Sequence, residues 1–202
     1  MKYLLSLSFL LLTAAPFFPA ATVTSAAPPP PVATKFLDLF DRLRAAQEKA
    51  ESGKFQLVTF LLSEDEINHY LAYSLKNTPR PGIDSVNIKV FSNDYISTFT
   101  RLDFDALESW RPGTIPAALK PALKGKRAIW IDFRVHAEDS KLTFTVEKAR
   151  YDDVPLPAIL VTKLIQVVAA RQPEQYDTTK PMPIPFALRK VWTAEHTIQG
   201  RN

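Results

Sequence analysis

Two neighbouring stretches of the chain alternate between apolar and polar residues, and this alternation constrains the fold more than any other feature of the sequence. The apolar members are Ile129, Ile131, Phe133 and Val135 in the first stretch and Leu142, Phe144 and Val146 in the second. A period of two is typical of β-strands that bury one face and expose the other. Residues 137–140 between the stretches predict a hairpin turn. The pairs that this turn creates are Val135 with Leu142, Phe133 with Phe144, and Ile131 with Val146.

Other periodic segments predict further strands and three helices around this hairpin. The strands are expected at residues 86–90, 95–104 and 186–198, and the helices at residues 35–52, 63–75 and 155–171. The first helix is amphipathic, because its apolar residues recur at helical spacing on one face. The second helix begins with a capping box, in which the Ser63 hydroxyl accepts from the Glu66 amide and the Glu66 carboxylate reaches back.

The helix expected at residues 155–171 is apolar on nearly every side, with Thr162, Lys163 and Gln166 as its polar interruptions. Such a helix must be buried over most of its circumference. A flat sheet covers only one side of a helix, whereas a curved sheet covers more. The expected fold class is therefore α+β, a curved, twisted antiparallel sheet wrapped around a largely apolar helix, with an additional N-terminal amphipathic helix.

The first 26 residues have the order of a secretory signal peptide. Met1-Lys2 is a positive start, an apolar run extends to Phe18, and small residues follow, with cleavage expected near Ala26. The run is shorter than the ~18–20 apolar residues of a membrane span, and retention as an anchor is the alternative. Residues 27–34 predict a proline-rich spacer, and residues 35–202 one domain. We expect an exported protein, periplasmic or extracellular.

Composition excludes several kinds of chemistry. The 202 residues include no cysteine, which removes disulfides, thiolate metal sites and a thiol nucleophile. An exported chain without cysteine suits a bacterial envelope better than a disulfide-rich secreted domain. The three histidines lie in different elements without metal-ligand spacing, and no glycine-rich phosphate loop or serine hydrolase motif occurs. We expect no metal, no cofactor and no catalytic residue, and therefore a binding protein rather than an enzyme.

A carboxylate-based hydrolase is the alternative that this composition leaves open. It requires acidic residues from distant segments to converge in a cleft with raised pKa values. The candidates are Asp103, Asp105, Asp152 and Glu147.

One basic cluster follows the middle of the chain. Its members, together with a preceding tryptophan, are Trp110, Lys120, Lys124, Lys126 and Arg127. Basic residues interleaved with apolar ones suit an anionic membrane surface, so we expect peripheral membrane contact here, with a solvated loop as the alternative. A cluster this small in an exported chain does not favour nucleic acid as a partner.

The order of these elements resembles the bacterial exported members of the tubular lipid-binding (TULIP-like) superfamily. The features that carry the resemblance are the stretch L-S-E-D-E-I-N-H-Y-L from Leu62 to Leu71, two amphipathic hairpins, the V-P-L-P turn at Val154 to Pro157, the apolar helix and a last strand. The resemblance covers residues 58–198. It implies a long twisted sheet around a helix, an apolar channel, and binding, sensing or shuttling of an acyl lipid.

The apolar faces of the helix and the hairpin suggest which residues bind such a ligand. The candidates are Phe133, Phe144, Leu160, Leu164 and Val168. Two alternatives remain open. The helix is a filled core without a groove, or the protein is a structural or assembly component of the envelope that binds a protein partner through a sheet edge or its proline-rich segments.

Overall fold

The computed structural model describes residues 29–110, 112, 113, 115, 117, 120–170 and 180–202. The predicted signal peptide, the start of the spacer and Arg171 lie outside the described residues. Within them the helices are α1 Pro31–Glu51, α2 Glu64–Asn77, α3 Phe104–Trp110 and α4 Ala158–Ala170. The strands are β1 Thr59–Ser63, β2 Ile83–Val90, β3 Tyr95–Asp103, β4 Lys126–Glu138, β5 Lys141–Tyr151, β6 Val154–Leu156, β7 Met182–Pro183, β8 Lys190–Ala194 and β9 Thr197–Arg201.

These strands form one curled antiparallel sheet, so the expected α+β class and antiparallel sheet are confirmed. The order along the sheet is β1-β9-β8-β4-β3-β2. The strand β5 pairs with the other side of β4, and β6 and β7 pair with β5. The backbone pairing between β4 and β8 is limited to Ala137 opposite Val191. The β8–β9–β1 group thus continues from the end of β4, and the sheet curls into a half-barrel.

The register of the β4–β5 hairpin differs by two residues from the prediction. Val135 lies opposite Phe144, and Phe133 lies opposite Val146. A bulge after Asp132 then sets Ile131 opposite Ala149. The predicted pairs were wrong because the connection has two residues rather than four. Between the turn and the bulge, a shift of two residues leaves each side chain on its face of the sheet, so the buried face of this part is as expected.

The two residues of this connection, Asp139 and Ser140, both have positive φ angles, of 50° and 60°. Positive φ at both positions is the geometry of a type I′ turn, whose twist matches that of the flanking strands. The β2–β3 connection uses the same left-handed region at Asn93 and Asp94, each with a φ of 60°. Both tight connections therefore depend on short polar residues that tolerate this backbone.

Three other boundaries differ from the sequence-based expectations. The expected strand 186–198 is a hairpin of β8 and β9, whose turn contains His196 with a φ of 57°. The expected helix 155–171 begins at Ala158, because Pro155 belongs to β6 and pairs with Arg150. An edge strand tolerates a proline, since the missing N–H faces away from the ladder. The helix α1 begins at Pro31 and so includes residues 31–34 of the expected spacer.

The main core lies between the concave face of the sheet and the helices α1 and α2. Its buried side chains include Phe36 and Leu43 of α1, Ile67 and Leu71 of α2, and Phe133 of β4. The predicted capping box is confirmed at the start of α2: the Ser63 Oγ accepts from the Glu66 N–H at 3.2 Å, and the Ser63 N–H donates to Glu66 Oε2 at 2.8 Å.

The helix α4 packs beside β5 and takes part in a second, smaller cluster. Val161 contributes the buried side chain of α4 in that cluster, against Val146 and Ala149 of β5. Ile159, at the start of the helix, is 68% exposed. Among the described helical side chains, those in the main core therefore come from α1 and α2.

Candidate functional site

An apolar cavity of about 100 Å³ lies inside the half-barrel, between α1, α2 and the concave face of the sheet. Sixteen residues line it. They are Phe36, Phe40, Leu62, Ile67, Tyr70, Leu71, Ile88, Asp94, Ile96, Phe133, Val135, Leu142, Val191, Trp192, Thr193 and Ile198. Asp94 and Thr193 are the departures from an apolar or aromatic lining, which makes this the candidate site.

The two helices supply the aromatic wall of the cavity. In α2, Ile67, Tyr70 and Leu71 share one face because they are three and four residues apart. The Phe36 ring of α1 stacks on the Tyr70 ring with a centroid distance of 4.4 Å, and Phe40 approaches the same ring at 6.0 Å. Burial raises the pKa of the Tyr70 hydroxyl, which therefore stays protonated.

The sheet supplies the opposite wall through alternate residues of its strands. Ile88 of β2, Ile96 of β3, and Phe133 and Val135 of β4 point to the same side, as the period of two requires. The alternation that predicted the sheet thus also produces the apolar wall.

The polar part of the lining is formed where the β2–β3 turn meets β8. The Asp94 Oδ1 accepts a hydrogen bond from the Thr193 N–H at 3.2 Å, and the Thr193 hydroxyl donates to the Phe91 carbonyl at 2.5 Å. The His136 Nδ1 lies 3.7 Å from Asp94 Oδ2. One carboxylate, held by a backbone N–H, is therefore the charged group that lines the cavity.

The cationic side chains near this carboxylate already have anionic partners. Arg134 binds Glu147 with an Nε–Oε1 distance of 2.5 Å and also donates to the Asn93 carbonyl at 3.0 Å. Lys190 binds Glu138 at 2.7 Å. The Lys190 ammonium also lowers the pKa of Glu138, as expected for a close pair.

The predicted ligand-binding residues do not all lie at this cavity. Phe133 lines it. Phe144 and Leu160 do not line it: Phe144 is partly buried and packs against both apolar clusters, and Leu160 is half-buried on α4. The side chains of Leu164 and Val168 lie outside the described part of the structure. These assignments remain predictions; of the three candidates whose side chains are described, Phe133 is the one at the cavity.

The sequence contained signals for the lining residues that were missed. The apolar face of the first helix was recognised, but none of its residues was proposed to bind a ligand. Nothing in the periodicity of a single helix indicates which neighbouring surface leaves space beside it.

The predicted membrane-contact cluster is mostly engaged in ion pairs. The pairs are Lys120 with Glu108 at 2.7 Å, Lys126 with Asp84 at 2.9 Å, and Arg127 with Asp152 at 3.3 Å. The Asp84 carboxylate raises the pKa of Lys126. Lys124 is exposed and makes no ion pair with another described residue, and Trp110, at the end of α3, is partly exposed. Peripheral membrane contact remains a prediction.

The four candidate carboxylates each have a separate partner. Asp103 accepts from the Ala106 N–H at 3.1 Å, Asp105 from the Gly125 N–H at 3.2 Å, Asp152 from the Ala128 N–H at 2.9 Å, and Glu147 binds Arg134. Within the described residues, no group of three or more histidine, aspartate and glutamate side chains is placed to hold a metal ion. None of the helices within the described residues combines the length and apolar character that a membrane crossing requires.

Comparison with known proteins gives no match: no family model, no curated protein and no solved structure is significantly similar to this chain.

Proposed function

We propose that this protein is a non-enzymatic, extracytoplasmic module that binds an acyl lipid or another hydrophobic ligand in the cavity beneath α1 and α2. The observation that carries the proposal is the nearly uniform apolar lining of an interior space. Apolar cavities stay dry and take up apolar guests. Each CH₂ group that a ligand buries in such a space gains about 0.8 kcal/mol.

The size of the cavity limits what it holds without rearrangement. A volume of about 100 Å³ is near the space of three liquid waters, at ~30 Å³ each, and below the several hundred Å³ of common ligand pockets. The closed form therefore accepts a short alkyl segment. A longer chain needs Phe36 and Phe40 to move outward, because these α1 side chains occupy the interior next to the cavity.

The test is competition for a neutral, environment-sensitive hydrophobic dye, with Trp192 fluorescence as a second readout because this side chain lines the cavity. Val135→Phe places a ring in the cavity and should weaken dye binding by about tenfold or more, which is ~1.4 kcal/mol. Val154→Phe is the matched control, since Val154 is exposed on β6 and does not line the cavity.

Ile96→Phe, on the same wall of the cavity, replaces Val135→Phe if that variant does not fold. Native mass spectrometry of the gently purified protein provides an independent measurement, in which co-purified lipid is expected. A bare protein mass, together with no dye binding by the wild type, contradicts the proposal.

A second candidate function, assembly with another protein chain, is favoured by the open edge of β1. Among the described strands, β1 pairs with β9 alone. The Glu64 N–H donates to the His196 carbonyl, and the Val58 carbonyl accepts from the Asn202 N–H, so both residues direct their backbone groups towards β9. Because these groups alternate in direction along an antiparallel strand, the backbone groups of Leu57, Thr59 and Leu61 point away from β9, towards the open edge. Leu57 and Leu61 are also 60% and 53% exposed.

The opposite edge of the sheet is protected. The Asn68 side chain bonds to both backbone groups of Ile88, and Glu64 Oε2 accepts from the Val90 N–H at 2.8 Å. Charged or covered edges prevent pairing between sheets. Residues 55–63 include no charged side chain, and no described strand covers the outer side of β1, so this edge is not protected in either way.

We propose a second copy of this chain as the occupant of the β1 edge. Antiparallel pairing about a two-fold axis at Thr59 sets Leu57 of each copy opposite Leu61 of the other, with no like charges facing each other. Sedimentation equilibrium should show a dimer for the wild type and a monomer for Leu61→Lys. Val154→Lys, on another exposed strand, should leave the dimer intact. A wild type that remains monomeric at its highest soluble concentration refutes the pairing.

A further inference from the structure

We propose that the ligand of the cavity has a head group that donates hydrogen bonds, a hydroxyl or an amine, and not a carboxylate or a phosphate. This inference rests on the proposed ligand-binding function and names the ligand class for the same cavity. It follows from the negative charge of Asp94 in the lining and from the acceptor positions of its carboxylate that no protein donor fills.

Asp94 lies in the polar part of the cavity lining, next to Thr193, and is partly exposed to solvent. It follows Asn93 in the β2–β3 turn, lines the cavity, and its side chain is 28% exposed. A ligand with its tail among the aromatic side chains of α1 and α2 therefore meets Asp94 at its polar end. Among the charged side chains of the described residues, Asp94 is the one in the cavity lining.

The carboxylate has unused capacity to accept hydrogen bonds. Its Oδ1 accepts from the Thr193 N–H, whereas Oδ2 lies 3.7 Å from His136 Nδ1, which is beyond hydrogen-bond distance. An ionised carboxylate offers about four acceptor positions, so one protein donor leaves several unfilled. A hydroxyl or ammonium group of a ligand can donate a hydrogen bond to one of these unfilled positions.

Among the described residues, no arginine, lysine or histidine lines the cavity to receive an anionic head group. Arg134, which donates to the Asn93 carbonyl next to Asp94, is paired with Glu147, and Lys190 of β8 is paired with Glu138. The neighbouring turn of β8 and β9 adds another acid, Glu195, whose carboxylate accepts from the Ser92 hydroxyl at 3.3 Å. A ligand carboxylate or phosphate would face Asp94 with like charge, and such repulsion is an effective means of discrimination.

The experiment compares three eight-carbon compounds, octanol, octylamine and octanoate, as competitors for the same neutral dye at pH 7.5. Their chains are identical, so differences in affinity report the head group. For the wild type, octanol and octylamine should each bind at least about tenfold more tightly than octanoate, equivalent to ~1.4 kcal/mol.

Asp94→Asn removes the charge and keeps an oxygen that accepts from Thr193, and asparagine tolerates the φ of 60° at this position. This variant should bind octanoate within about threefold of octanol, or ~0.65 kcal/mol. Asp139→Asn is the matched control, because Asp139 has a φ of 50° in the other tight turn and does not line the cavity. The control should keep the wild-type preference.

The outcomes separate this inference from the function on which it rests. If octanoate competes as well as octanol with the wild type, or if Asp94→Asn keeps the full preference, the head-group assignment is refuted while hydrophobic binding stands. If none of the three compounds competes and the dye does not bind, both the binding function and the head-group assignment are refuted.

Discussion

Replacement of Asn68 by alanine should destabilise the protein by about 2 kcal/mol, because this side chain joins α2 to the edge of the sheet. Its Nδ2 donates to the Ile88 carbonyl at 2.9 Å, and its Oδ1 accepts from the Ile88 N–H at 2.7 Å. Each bond contributes ~1 kcal/mol net, and a stranded buried group costs ~1–3 kcal/mol. Two effects reduce the loss. Water can replace part of the lost hydrogen bonding because Asn68 is half-buried, and alanine has a higher helix propensity than asparagine, by up to ~0.7 kcal/mol.

Asn68→Asp is a sharper perturbation of nearly the same shape. The aspartate still accepts from the Ile88 N–H, but its second oxygen faces the Ile88 carbonyl, so a hydrogen bond becomes a repulsion between two acceptors. We expect a loss at least as large as that of Asn68→Ala, or ~2–3 kcal/mol. A result in which the aspartate variant is as stable as the wild type would show that the paired geometry is wrong.

Urea unfolding followed by tryptophan fluorescence gives the free energy of unfolding of each variant. A loss of 2 kcal/mol corresponds to a decrease of roughly 4–8 °C in Tm for a domain of this size. Asn77→Ala is the matched control in the same helix, because its side chain donates to the Tyr73 carbonyl at an exposed position. The control should change stability by less than ~0.5 kcal/mol. If Asn68→Ala is equally mild, the reasoning about the protected edge fails.

Two further variants test close contacts and pH dependence. Gly82→Ala should unfold most of the protein under native conditions, because a Cβ at Gly82 would lie 2.6 Å from Leu107 Cβ and 2.7 Å from its backbone, at a φ of +87°. Gly125→Ala, also at positive φ but without a neighbour within 4 Å, should cost only ~1 kcal/mol, and equal losses in thermal melts would contradict the contact. The hydrogen bond from Lys120 lowers the pKa of Glu108 from 4.5 to about 2, so its stabilisation is complete above pH 4.5 and is lost as the pH falls towards 2. The Tm difference between the wild type and Glu108→Gln should therefore vanish near pH 2, and a constant difference from pH 7 to pH 2 would refute the assignment.

Local patterns in the sequence were sufficient to predict the class of the fold. Alternation between residues 129 and 146 predicted an antiparallel hairpin with one buried face, and the structure has it. The capping box at Ser63 and Glu66 predicted where α2 begins. Both signals are local, because they depend on the period of a strand and on hydrogen bonds within one helical turn.

The sequence was less informative about connections and about the site. The register of the β4–β5 hairpin depends on two residues that adopt positive φ, and four polar residues in a row do not reveal which two do so. Three of the five candidate ligand-binding residues were chosen from the most apolar helix, α4, whereas the cavity lies beneath α1 and α2 and includes only Phe133 among the described candidates. Hydrophobicity measures a tendency to be buried, and it does not identify the surface against which burial occurs.

The sequence by itself thus determined the type of most main elements and the face that the first helix and the β4–β5 hairpin bury. Only the tertiary structure decided that α1 and α2 share the concave face, that a cavity remains between them and the sheet, and that Asp94 lines it. The physical reason is that burial patterns repeat over a few residues of one segment. A cavity depends on how side chains from nine elements, the helices α1 and α2 and the strands β1, β2, β3, β4, β5, β8 and β9, fill one volume together with the β2–β3 turn.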